Sequence, residues 1–182
     1  MKDRNSWSRH RAVCCSLVCL SVLACASACA APANDSIVTT QKLAWRVANE
    51  LAVKAVELCE QRGYSVTATV VDTSGHQQAV VKGDSVPLQS LSVSYRKAYT
   101  AYSYGQAFGM RSTGELLRAG HGGPADAGLN TIPEVLFVPG GVTIRSGNSV
   151  LGGLGVSGAP GGDRDEACAA DALAQLQDRI GR

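Results

Sequence analysis

Residues 152–169 have the sequence GGLGVSGAPGGDRDEACA. The apolar segment 150–156 predicts a strand, and the glycine-rich segment 157–163 predicts a loop. Asp163, followed three residues later by Glu166, is typical of a helix N-cap, so we predict a helix from Arg164 to about Ile180. The glycines at 152–155 lie within a strand-like run that no helix follows directly, which argues against a dinucleotide-binding loop.

The loop at 157–163 has two interpretations. Free N–H groups at a helix N-terminus favour an anionic ligand, but a tight connection from strand to helix has the same composition. Asp163, Asp165 and Glu166 would also satisfy the helix dipole and compete with an anion. The loop by itself therefore identifies no ligand.

Upstream of this stretch, helical and extended patterns alternate. The helical patterns lie at residues 41–62, 88–104 and 112–118, and the extended ones at 65–72, 76–82, 135–138 and 142–145. Gly63 is typical of a helix C-cap, and Ser112 with Glu115 forms a capping box. We expect the helix at 88–104 to bury a face with Leu88, Leu91, Tyr95, Ala98 and Tyr102. This order predicts an α/β (α+β) domain, a five-stranded antiparallel sheet flanked by helices.

The first thirty residues have the organisation of a secretory signal. Four basic residues precede the nearly uncharged run 12–30, which ends in small residues suited to cleavage after Ala30. Serines interrupt the run, which disfavours a retained membrane-spanning helix. We expect a signal peptide at 1–30, a leader at 31–39, a domain at 40–182, and a secreted or periplasmic location. Residues 22–25 also resemble a bacterial lipobox, in which Cys25 would be lipidated and would tether the domain to a membrane.

Removal of the signal changes both charge and cysteine content. The mature chain keeps 13 basic and 14 acidic residues, without the clustered positive excess that nucleic-acid binding needs, so no nucleic-acid partner is expected. Five of the seven cysteines also lie within residues 1–30, which leaves Cys59 and Cys168. In an oxidising compartment these two could pair, but each also suits an apolar helical face as a buried thiol. Both alternatives stay open.

Few side chains of the mature domain are candidates for ligand binding. Only two histidines remain, His76 and His121, and no carboxylates have metal-ligand spacing, so no zinc or calcium site is expected. His76 opens a predicted strand, where it could ligate a metal or haem iron, act as a base, or be an ordinary surface residue. His121, in a glycine-rich loop, ranks below it. Lys97 and Thr100 could face one ligand, or lie on the solvated face of an amphipathic helix.

Four stretches resemble, in order, the GlcG/HbpS family of haem-binding proteins, which is related to the C-terminal domain of PduO-type corrinoid enzymes. They are residues 70–76 (VVDTSGH), 96–101 (RKAYTA), 140–145 (GGVTIR) and 152–169. Together they cover nearly all of residues 40–180, and the last is the most specific. Thr143 stands where many members of the family have proline, so the neighbouring turn is expected to differ.

The resemblance implies a profilin-like fold, assembly into homo-oligomers, and binding of haem or a related tetrapyrrole. Carried over by position, His76 and Thr100 are expected to contact the haem iron or its edge, with His76 as the metal ligand. Lys97 and Arg145 are expected to pair with the haem propionates.

Three functions are compatible with these observations. The resemblance favours a secreted haem-binding protein, in haem scavenging, degradation or redox sensing. The alternatives are an enzyme or enzyme accessory acting on a small 2-hydroxy acid or a corrinoid, and a structural or signalling oligomer of the cell envelope. No catalytic constellation is assigned, because the residues alone indicate only a soluble α/β binding domain.

Overall fold

The computed structural model describes residues 36–181. The predicted signal peptide and Cys25 lie outside the described residues. The elements below belong to one compact unit, which begins at Thr39. They are α1 (Trp45–Glu60), β1 (Thr67–Val71), β2 (Gln77–Lys82), α2 (Gln89–Phe108), α3 (Thr113–Arg118), β3 (Gly141–Ser146), β4 (Ser149–Ser157) and α4 (Gly162–Ile180).

The strands form one antiparallel sheet in the order β2-β1-β4-β3, with helices on both faces. The α+β class is therefore confirmed, but the prediction of five strands is wrong, because the sheet has four. Residues 135–138 form no strand, since side chains of α2 bind their backbone. Arg96 Nη2 donates to the Val135 carbonyl at 2.7 Å, and Leu136 N donates to Thr100 Oγ1 at 2.8 Å.

One face of the sheet packs against α1 and α4 to form the main apolar core. Leu51 and Ala55 of α1 meet Leu154 and Val156 of β4 in this core, all with no exposed surface. The helical pattern predicted at 41–62 corresponds to α1. The core also holds a disulfide between Cys59 of α1 and Cys168 of α4, with an S–S distance of 2.09 Å. Of the two alternatives left open for these cysteines, the structure contains the disulfide.

The other face of the sheet is covered by α2 at very short range. A Cβ added at Gly155 would overlap the Ser94 carbonyl, and one at Gly153 would overlap the Ala98 carbonyl. Only small side chains fit between α2 and this face, so the predicted buried face of this helix is wrong in part. Ala98 is buried as predicted, but Leu91, Tyr95 and Tyr102 are only partly buried and Leu88 is exposed. The other buried residues of α2 are small, apart from Lys97.

The local sequence signals predict one of three helix caps correctly. Ser112 Oγ caps α3 by accepting from Glu115 N at 3.1 Å, as predicted. The C-cap of α1 is Gln61, and Gly63, with φ of 80°, lies two residues beyond it. The N-cap of α4 is Gly161 and not Asp163, which lies in the first turn. The helix begins earlier because the Asp165 carboxylate bonds back to Ala159 N at 2.9 Å and closes the preceding loop.

Candidate functional site

The structure does not bring the four predicted site residues together. His76 lies just before β2, at one edge of the sheet, with an exposed side chain and its backbone N–H bonded to Asp72. Arg145 lies near the end of β3, at the opposite edge. Lys97 and Thr100 are buried in α2, between these edges. These four roles stay predictions, and the surroundings of each residue decide how well it suits its role.

Lys97 is engaged inside the protein. Its Nζ lies 2.7 Å from Asp165 Oδ2 and 3.1 Å from the Val156 carbonyl, and the two side chains of this ion pair are 3% and 4% exposed. Burial raises the pKa of the Asp165 carboxyl, while Lys97 and hydrogen bonds from the backbone at 158–159 act in the opposite direction. The ammonium group could reach a propionate only if this buried pair broke.

The hydroxyl of Thr100 is also hydrogen-bonded inside the protein. Its hydroxyl donates to the Arg96 carbonyl at 2.8 Å and accepts from Leu136 N at 2.8 Å, and the residue is fully buried. These two bonds fix the loop at 135–138 against α2. The geometry thus gives Thr100 a structural role and no surface for a ligand.

A second apolar cluster lies apart from the main core, and Phe108 lies between its Tyr104 and the ring of His121. We call it the aromatic cluster; its members are Leu116, Val135 and Phe137, with Tyr99, Tyr104, Met110, Leu117 and Leu129 packed against them. The His121 ring stacks on Phe108 with centroids 4.0 Å apart, and His121 Nδ1 lies 3.5 Å from Asp126 Oδ2. Phe108 remains 46% exposed. An imidazole therefore borders accessible aromatic surface here, which the sequence ranking of His76 above His121 did not anticipate.

Arg145 belongs to a different feature, a groove between α3, the edge strand β3 and α4. The groove encloses about 690 Å³. Arg111 and Arg118 line it with Arg145, so three arginines border one cavity, and we call it the arginine groove. The sequence indicated Arg145 only, since Arg111 and Arg118 become its neighbours through the packing of α3 on β3.

Comparison with known proteins decides the family. A model of the HbpS-like family, described as haem-degrading proteins, matches residues 43–174. The chain belongs to the HbpS-like family. A crystal structure of HbpS is 32% identical, with a TM-score of 0.68, covering 80% of this chain and 98% of that one. A double mutant of HbpS from Streptomyces reticuli is 31% identical, with a TM-score of 0.66, covering 83% and 98%. No curated protein matches.

A further similar structure is a PduOC:haem complex. It is 25% identical to this HbpS-like chain with a TM-score of 0.61, covering 73% of this chain and 94% of that one. Among residues 36–181, no helix is long and apolar enough to cross a membrane. The same residues contain no group of three or more His, Cys, Asp or Glu that could hold a metal ion.

The most specific stretch of this HbpS-like chain holds its elements together. Asp165 of this stretch pairs with Lys97, and Cys168 forms the disulfide with Cys59. Glu166 joins α4 to the start of α3. Its carboxylate accepts from Ser112 Oγ at 2.8 Å, Gly114 N at 2.8 Å and Gly140 N at 3.0 Å. Gly114 lacks the Cβ that would collide with this carboxylate. Asp165, Glu166 and Cys168 therefore stabilise the packing of helices and loops in this domain.

Proposed function

We propose that this HbpS-like domain binds haem. The observation that carries the proposal is the family match over residues 43–174, together with the likeness to a solved haem complex. When bound, haem supplies the iron on which degradation or redox sensing depends. The protein has to supply an apolar surface, an axial ligand and partners for two carboxylates.

The surroundings of His121 fit the first two of these requirements. Iron-binding imidazoles are usually held by a carboxylate or carbonyl on the other ring nitrogen, and Asp126 lies beside His121 Nδ1. Phe108 and Tyr104, with centroids 6.2 Å apart, offer flat apolar surface next to this imidazole.

His76 is the other imidazole in residues 36–181, and its role as iron ligand stays a prediction. Its side chain is exposed at the β1–β2 hairpin, and its hydrogen bonds are made by its backbone: the N–H donates to Asp72 Oδ1 at 3.2 Å and the carbonyl accepts from Asp72 N at 2.9 Å. We place the iron at His121 because that ring has both an orienting carboxylate and an aromatic neighbour.

Titration of the purified protein with hemin tests the proposal. We expect a saturable shift of the Soret band, at least tenfold weaker in His121→Ala and unchanged in His76→Ala, with far-UV circular dichroism confirming that both variants fold. No saturable shift in the parent protein would refute haem binding. A loss in His76→Ala alone would keep haem binding but overturn the placement at His121.

We also propose that the protein is exported and forms a homo-oligomer of profilin-like subunits. A disulfide between buried cysteines supports an oxidising compartment. Intact-mass analysis of the cellular protein would distinguish cleavage after Ala30 from lipidation at Cys25, and an intact N-terminus would contradict both. Light scattering after size exclusion would measure the number of subunits, and a monomer would refute the oligomer.

A further inference from the structure

The arginine groove has three positive side chains that no carboxylate of the described chain pairs with. Ion pairs within residues 36–181 involve other cations and leave Arg111, Arg118 and Arg145 without a partner of this kind. Arg111 is fixed on the edge strand because its carbonyl accepts from Thr143 N at 2.8 Å. Guanidinium groups around one cavity are a typical arrangement for recognising a carboxylate or phosphate.

Arg145 is the least exposed of the three arginines. Its Nη2 donates to the Gly105 carbonyl at 3.3 Å, but its Nε is buried and has no hydrogen-bond partner. A buried polar group without a partner is costly and uncommon in native structures. A ligand oxygen in the groove could contact only the solvent-accessible nitrogens of this guanidinium and not Nε.

Two carboxylates also border the groove, but both already accept hydrogen bonds from the protein. Glu115 Oε2 accepts from Arg111 N at 2.6 Å. Glu166 accepts from Ser112, Gly114 and Gly140, as described above. With three arginines and two occupied carboxylates, the groove keeps a positive excess of one charge.

The groove also has an apolar lining. Val142 of β3 and three residues of α4, Ala170, Leu173 and Ala174, line it. The volume of about 690 Å³ lies in the range of small-molecule sites. We propose that the arginine groove binds an organic acid, its carboxylate on the arginines and a small apolar body on the α4 wall. This inference does not depend on haem binding.

Isothermal titration calorimetry with sodium benzoate tests it, with benzamide as the neutral isostere at matched ionic strength. Benzoate is expected to bind and benzamide is not. Affinity for benzoate should fall at least tenfold in Arg145→Gln and in Arg118→Gln, whose exposed side chain can change without affecting the fold. The control Arg46→Gln, which removes an exposed cation over the Trp45 ring, should bind benzoate normally. Equal binding of benzamide, or no effect of either groove variant, would overturn the proposal.

Haem also carries carboxylates on an apolar body. A competition experiment with hemin therefore distinguishes a free organic acid from haem as the ligand of the groove. Hemin that binds equally well in the presence of saturating benzoate would assign the groove to a free organic acid. Hemin that displaces benzoate, and that binds more weakly to Arg145→Gln, would assign the groove to haem propionates. If benzoate binds while hemin does not, only the haem proposal fails.

Discussion

Replacing Lys97 with methionine should destabilise the domain in a way that depends on pH. The substitution removes the ammonium from the buried pair and leaves Asp165 without its cation, while methionine keeps most of the apolar stem of the side chain. Breaking a buried ion pair from one side typically costs about 3–5 kcal/mol. The remaining carboxyl can avoid this cost only by taking up a proton.

The size of the effect follows from that proton. The ordinary pKa of an aspartate is 3.8, and burial without Lys97 raises the pKa of Asp165 further. If the carboxyl stays protonated in the folded variant, proton uptake costs about 4 kcal/mol at pH ~7 and about 1.5 kcal/mol at pH ~5. The sign follows from linkage: a carboxyl with a raised folded-state pKa contributes stability at low pH, which is lost as pH rises towards that pKa.

Urea denaturation followed by far-UV circular dichroism measures the loss of stability at each pH. At pH ~7 the midpoint of Lys97→Met should fall by about 2 M, and at pH ~5 by less than half as much. The double variant Lys97→Met/Asp165→Asn should recover most of the loss at pH ~7 and lose the pH dependence. Lys54→Met, which removes an exposed pair with Glu57, should cost less than about 0.5 kcal/mol. A loss that is equal at both pH values would refute the reasoning.

Three further predictions concern the fold. The double variant Cys59→Ala/Cys168→Ala should lose about 4–5 kcal/mol of unfolding free energy, because the disulfide closes a loop with a sequence separation of 109 residues. As a control, a reductant should destabilise the parent protein and leave the double variant unchanged. Gly155→Ala should lower the free energy of unfolding by about 1–3 kcal/mol or more, because the new methyl group overlaps α2. Gly128→Ala, where no atom lies near the new methyl group, should be neutral or slightly stabilising in thermal melts. Equal effects of the two substitutions would contradict this packing. Glu166→Gln should cost about 1.5–3 kcal/mol and should speed amide exchange at Gly114 and Gly140; unchanged exchange would contradict the bonds assigned to this carboxylate.

Elements with local signals were predictable from the sequence. The hairpin of β1 and β2 has a glycine in its turn at residue 75, with φ of 77°, and alternating residues on either side. The capping box of Ser112 and Glu115 lies within four residues, so it can be identified without knowing the fold. In both cases neighbours in sequence make the decisive contacts.

Contacts between distant segments explain the errors. Residues 135–138 are apolar like a strand, but Arg96 and Thr100, more than thirty residues away, take the backbone bonds that a strand would use. The buried face of α2 is determined by glycines in β3 and β4, which admit only small side chains between helix and sheet. Lys97 looked like a surface cation because its partner Asp165 is 68 residues away.

The candidate sites show the same limit more strongly. His121 was identified as a histidine in a loop, but its value as a ligand depends on Phe108 and Asp126, which the fold brings to the ring. Arg145 belonged to a recognisable stretch, whereas Arg111 and Arg118 become its neighbours only when α3 lies beside β3. Composition and periodicity contain no signal for such groupings.

The stretch at 152–169 specifies the fold much more than the ligand. Its glycines admit α2, Asp165 pairs with that helix, Glu166 holds the start of α3, and Cys168 is bonded to α1. The oxygens of Glu166 that face the arginine groove are occupied by donors of the protein itself. A chain that shares this stretch can therefore share the architecture and bind a different molecule. The ligand of this protein is decided by residues outside the stretch, which is why the experiments on haem and on organic acids change His121, Arg118 and Arg145.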